Sequence, residues 1–240
     1  MRIVPLQPAD AQSHGALTRF LEECRRLAVA AGRPQLVSIT LESERLDPLA
    51  VLESIYEPGE EHFYTERPSA DLAVAGADAV ASFTGEGEDR FVQAGGWVRD
   101  LLANTVAIGA VELPFGGPVF FCGFGFEDTT PTDAPFPSAR VFVARWQVAR
   151  VADRSVAVAN TMIAPDTDIA TAAERIWRAR EKFSSFDYTE PAFNGAMEGG
   201  LASEVEVGGE MSYAGHVARA VEDIRAGRYR KIVLARARDL

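Results

Sequence analysis

Apolar residues recur at helical spacing first in Ala16 to Ala31, where Leu17, Phe20, Leu21, Cys24 and Leu27 share a face and Gly32 followed by Pro34 supplies a stop. The next segment, LVSITLES, alternates Val37, Ile39 and Leu41 with polar neighbours, the two-residue period of a half-buried strand. A short helix over Asp47 to Glu53 follows, with Pro48 in its first turn. His62 to Glu66, Asp71 to Gly76 and Asp78 to Phe83 are three β-prone runs separated by turn residues, and they predict an antiparallel meander. Glu88 to Asn104 returns to the helical period through Phe91, Ala94, Val98 and Leu101, with Gly95-Gly96 inside it.

Val119 to Glu127 has strand character, and ARVFVARWQVARVADRSVAVANTMI predicts two or three strands joined by a tight turn near Ala152-Asp153-Arg154. Thr167 to Phe183 places Ile169, Ala173, Ile176, Trp177 and Phe183 on one helical face. Ser184 to Glu210 loses periodicity and is rich in Gly, Ser and Glu, so residues 184–210 are expected to form a surface connector. A last helix over Tyr213 to Ala226 has Ser212 as its cap, Val217, Val221 and Ile224 as its expected buried stripe, and Gly227 as its terminator. Ile232 to Arg238 then predicts a closing strand. Runs of strands between helices, without strict alternation, indicate an α+β fold with a mainly antiparallel sheet flanked by helices. A strand expected so near the last residue calls for a pairing partner, and the reading is that residues 1–240 are one portion of a domain cut within it.

Composition narrows the function classes. The 240 residues are 47% hydrophobic and 25% charged, a balance suited to a folded core. A net charge of -11 repels polyanions and argues against nucleic acid as a partner. Cys24 and Cys122 lie far apart without a CxxC or Cys/His pattern, which argues against a zinc site or a disulfide framework and suits a reducing cytoplasm. MRIVPLQPADAQ lacks the long apolar core of a secretory signal. The most apolar stretch, Leu101 to Phe126, is interrupted by Asn104, Glu112, Pro114 and Gly116-Gly117, so no membrane span is expected. CGFGFED has two glycines of a dinucleotide fingerprint and lacks the third. His14, His62 and His216 do not pair at ligand spacing.

Lys231 stands apart. It is one of two lysines among 24 basic residues, in a chain that otherwise uses arginine. Arginine stays protonated in any protein setting, whereas burial can push a lysine amine toward neutrality and make it a general base. In an extended chain Lys231, Val233, Ala235 and Ala237 share one face, and Ile232, Leu234, Arg236 and Arg238 the other. Small apolar neighbours leave room for a ligand beside the amine. The alternative reading puts Lys231 at the strand start with its head in water.

The run IRAGRYRKIVLARARDL resembles the helix, Gly, K-[IV]-[IV]-L-[AS]-R segment of the chorismate-utilising enzymes, the isochorismate synthases in particular. HFYTERPSADLAVAG, GPVFFCGFGFED and FPSARVFVARWQVAR are similar, in the same order, to parts of the N-terminal half of that family. The resemblance implies an isomerase that converts chorismate to isochorismate. Lys231 would activate a water for attack at C2, a glutamate would protonate the departing 4-hydroxyl, and Mg²⁺ would hold the substrate carboxylate. It places the acid and the metal ligands beyond residue 240, so the chain alone is expected to be inactive, with the C-terminal half as its missing partner. Relatives that use ammonia carry Gln where this chain has Lys231. Salicylate synthases share the lysine and a GRY.K run like GRYRK, and are the alternative; a reading of another class is a non-catalytic half-length module that pairs with a partner chain. Menaquinone or siderophore synthesis is the implied setting.

Overall fold

The computed structural model describes residues 1–4, 13–43, 46–131, 134–184, 205–207, 212–235 and 237–239. They divide into two compact units, Met1–Tyr188 and Thr189–Leu240. Most of the expected connector at 184–210 lies outside the described residues.

In the first unit, helix α1 (His14–Ala31) begins where the Ser13 hydroxyl accepts from the Ala16 N–H at 3.2 Å. It ends at Gly32, whose φ of 63° lets Gly32 and Arg33 donate back to the carbonyls of Val29 and Ala28, both at 3.2 Å. Helix α2 (Pro48–Ile55) is capped by Asp47, and α4 (Ile169–Ser184) by Asp168, which accepts from the N–H groups of Ala170 and Thr171. Helix α3 is Arg90–Ala103.

The strands are β1 (Arg2–Val4), β2 (Gln35–Ser43), β3 (His62–Arg67), β4 (Leu72–Gly85), β5 (Thr105–Gly109), β6 (Phe120–Phe124), β7 (Ala139–Val151) and β8 (Arg154–Ile163). They form one sheet in the order β1-β5-β2-β8-β7-β4-β3, with β6 branching from β7. The fold is mixed α/β, and the sheet corrects the expectation of a mainly antiparallel one. β5 runs parallel to both β1 and β2, while the pairings from β2 across to β3 are antiparallel. The cause is legible in β5. Its residues Thr105 to Ile108 are buried on both faces, so they lack the alternation that marks a half-exposed strand.

Alternate residues of the central strands face two cores. Val37, Ile39, Val106 and Ile108 pack with Leu17, Leu21 and Cys24 of α1 and with Ile169, Ala173 and Ile176 of α4. Val74, Phe121, Phe142 and Val156 form a second cluster with Leu113, beneath the segment that joins β5 to β6. Cys24 and Cys122 are both free; burial pushes the Cys24 thiol up to about 12, while Cys122 is exposed.

The two expected runs at 71–76 and 78–83 are one strand. Gly76 and Asp78, read as turn residues, instead hold a close approach and a bulge. A Cβ on Gly76 would lie 2.5 Å from Phe121 Cε2, and Asp78 takes a φ of 59° just before the register shift between Ala79 and Ala81.

In the second unit, helix α5 (Tyr213–Arg225) is capped by Ser212, whose hydroxyl accepts from Gly215 N–H at 3.3 Å. Its other end is closed as the sequence predicts: Gly227, at φ 71°, donates to Ile224 and Arg228 N–H donates to Asp223, both at 3.0 Å. The expected buried stripe is not buried, since Val217, Val221 and Ile224 are exposed. The predicted closing strand is also shorter. Residues 231–235 have no regular structure, and β10 (Ala237–Asp239) pairs antiparallel with β9 (Val205–Val207). A strand is defined by its ladder, and among the described residues three positions alone find one here.

Candidate functional site

The Schellman closure at Gly227 fixes where the chain leaves α5, and Arg228 strengthens it by pairing with Asp223. Four residues beyond Gly227 comes Lys231. It is exposed, and so are Val233 and Ala235, while Ile232 and Leu234 are half-buried. The two-residue alternation expected from the sequence is thus present in burial although residues 231–235 lack a ladder. Among the described residues Lys231 is solvent-exposed, the alternative placement that the sequence left open. Tyr229 and Arg230, just before it, are exposed as well. Among the described residues nothing covers this face. Nor do the described residues include a group of three or more His, Cys, Asp or Glu placed to hold a metal ion.

The first unit holds a polar site that the sequence did not single out. Strand β7 is paired along one whole edge with β4. On its other edge it is shared: Ala139–Val143 pair with β6, and Trp146–Val151 pair with β8. At Ala144-Arg145 the sheet therefore forks. Asn160 of β8 spans the gap by donating Nδ2–H to the Ala144 carbonyl at 2.8 Å. Its Oδ1 has no partner among the described residues, although the residue is only 1% exposed.

Across β7, the bulge at Asp78 brings its carboxylate to the Arg145 guanidinium. This pair is one of three along the strand. Arg140 donates to both oxygens of Glu61, from Nε at 2.5 Å and from a terminal nitrogen at 2.6 Å, and Arg150 lies 3.5 Å from Asp71. The Glu61 hydrogen bonds hold the Arg140 guanidinium above its ordinary value.

A cavity of 430 Å³ opens at the fork, lined by Arg145, Trp146, Asn160, Thr161, Thr171 and Arg175 among others. Arg175 comes from α4 and forms no ion pair or hydrogen bond among the described residues. Asp168, also in the lining, is engaged by its own helix: Oδ2 accepts from the Thr171 hydroxyl at 2.7 Å and Oδ1 from two backbone N–H groups. These bonds, the Thr171 hydroxyl foremost, hold its carboxyl below the usual carboxylate value. No signal in the sequence joins these positions, because they come from three elements and meet only where the sheet divides.

The profile of a family described as "Chorismate binding enzyme" matches residues 19–240. A protein of Pseudomonas aeruginosa named "Salicylate biosynthesis isochorismate synthase" is 27% identical over 238 residues, which cover 98% of this chain and 47% of that protein. The chain thus spans about half the length of the curated relative it matches.

Proposed function

From the premise that the chain belongs to the family of chorismate binding enzymes, we propose that it carries the base of an isochorismate synthase, with Lys231 activating water. The observation that carries the reading is the placement of Lys231. It sits four residues beyond the glycine that closes α5, inside the run that resembles the family's base segment. The amine would take a proton from water as the water oxygen bonds to C2 of chorismate. The ring double bond shifts and the C4–O bond breaks, with the 4-hydroxyl leaving after protonation. Water needs a base where ammonia brings its own lone pair, so lysine fits the hydroxylating branch of the family.

Two requirements follow for the active enzyme. A base must be shielded from bulk water, so a cover must lie over the Lys231 face. By the family resemblance, the acid that protonates the 4-hydroxyl and the ligands for Mg²⁺ would come from beyond residue 240. The relative has more than half its length beyond the matched span, ample room for all three.

The test is chorismate consumption, with Mg²⁺ in the buffer, by the longest reading frame that contains these residues, compared with Lys231→Ala and Lys231→Gln. Both substitutions should lower turnover by about 10²–10⁴-fold while leaving the circular dichroism spectrum unchanged. Near-normal rates in Lys231→Ala would remove the base assignment. The product decides the branch: accumulating isochorismate supports the proposal, and salicylate released together with pyruvate supports a salicylate synthase.

A further inference from the structure

We propose that the outer edge of β6 and the aromatic rings around it are a docking surface for the polypeptide that follows Leu240 in the longest reading frame containing these residues. The occupant is an extended apolar segment with Arg or Lys beside it. The inference rests on the family match and on the first unit, and it stands whatever the chemistry of Lys231.

The edge comes first. Among the described residues β6 pairs with β7 alone, and no strand lies along its other side. Cys122, Gly123 and Phe124 are exposed in succession, so this end of the strand is open on both faces. An uncovered edge presents N–H and C=O groups to which a further strand can add.

The rings come second. An aromatic run such as Phe120 to Phe126 ordinarily belongs to a core, and Phe121 does; Phe124 and Phe126 do not. Phe126 is fully exposed, Phe136 is 80% exposed, and the exposed Phe91 ring lies 4.7 Å from that of Phe124. Phe124 and Phe126 flank Gly125, whose N–H donates at 2.9 Å to the carbonyl of Ser138, two residues from Phe136. The backbone beneath is held by the buried Arg90, which donates to the carbonyls of Gly87, Gly125 and Phe126. A surface already fixed loses little freedom when a partner covers it.

Charge selects the occupant. Glu86, Glu88, Asp89 and Glu127 are exposed on the two loops that Arg90 ties together, and the Arg90 guanidinium is turned inward to carbonyls. A second copy on the same surface would bring these acids face to face across a twofold axis. Arg or Lys on an incoming segment would instead be matched. The matched span is 47% of the curated relative, which leaves more than half of a chain of that kind to supply the segment.

Cys122 is the reporter, because Cys24 is buried with its thiol pushed up to about 12 and stays unreactive in the folded chain. N-ethylmaleimide labelling, located by peptide mass spectrometry, compares the 240-residue chain with the longest reading frame. Cys122 should react freely in the former at every protein concentration, and at least about tenfold more slowly in the latter. Phe126→Ser together with Phe136→Ser, both at exposed positions, should speed labelling in the longer chain about threefold or more and change nothing in the shorter one. The proposal is overturned if the frame stops at Leu240, if the two chains label alike, or if the double substitution leaves the protection whole. Protection that rises with the concentration of the 240-residue chain also overturns it, by making the surface a contact between copies. Turnover plays no part in this readout, so loss of the Lys231 assignment and loss of the docking surface are told apart.

Discussion

Replacing Gly76 with alanine tests the packing on which the sheet of the first unit depends. Gly76 lies in β4 between Phe63 of β3 and Gln147 of β7. A Cβ there would meet Phe121 Cε2 at 2.5 Å and both Phe121 Cζ and Ala144 Cβ at 2.8 Å, separations that real side chains do not tolerate. Phe121 has little freedom to yield. It is buried, with its ring centroid 5.0 Å from Phe63 and 5.3 Å from Phe142. Ala144 Cβ is fixed by its backbone. Overpacking of this kind costs about 1–3 kcal/mol. The loss of glycine's freedom in the unfolded chain returns about 0.4–1 kcal/mol. The net loss is then on the order of 1–2 kcal/mol, or about 2–8 °C in Tm for a unit of this size. Trp97, Trp146 and Trp177, all the tryptophans of the chain, belong to the first unit, so their fluorescence during urea unfolding reports on it specifically. Gly76→Ala should lower the midpoint without changing the slope. Trimming the obstacle should restore part of the loss: Phe121→Leu is expected to cost less in the Gly76→Ala background than alone, by about 0.5 kcal/mol or more. A Gly76→Ala chain as stable as the parent, or strictly additive losses in the double variant, would refute the reasoning.

Two further substitutions probe other parts of the same unit. Gln147 is fully buried, accepting from Val119 N–H at 3.2 Å and donating to the Phe115 carbonyl at 2.9 Å. Gln147→Leu should therefore strand both backbone groups and destabilise by about 1–3 kcal/mol or more in the same urea assay. Asp168 has a folded-state pKa below its unfolded value of 3.8, so its contribution to stability is present above that pH and fades as pH falls through the lower folded value. The stability difference between the parent and Asp168→Asn should consequently be constant from pH 5 to 7 and shrink below about pH 4, as read from urea midpoints across pH.

The parts legible in the sequence are those set by local chemistry. Gly32 closes α1, Ser212 and Gly227 bracket α5, and the apolar periods of Leu17, Leu21 and Cys24 or of Ile169, Ala173 and Ile176 point to the core as expected. What stayed hidden was set by distant partners. β5 is buried on both faces and has no alternation to reveal it; Gly76 and Asp78 look like breakers until Phe121 and Arg145 are placed opposite them. Val217, Val221 and Ile224 have a helical stripe that no described residue buries. For the candidate site, the alternation around Lys231 was readable because it is local, and the fork was not. Arg145, Asn160 and Arg175 are fifteen residues apart at each step, and the branching of β6 and β8 from one edge of β7 is what brings them together.

The arginine pairs of β7 have a kinetic consequence. Because Arg140, Arg145 and Arg150 each face an acid, the positive charge of β7 is offset where it stands, and an approaching anion meets the field of a body with net charge -11. Encounter with any acid is then retarded at low ionic strength, and added salt, by screening that repulsion over about 10 Å, should quicken arrival even as it loosens the final grip of a guanidinium.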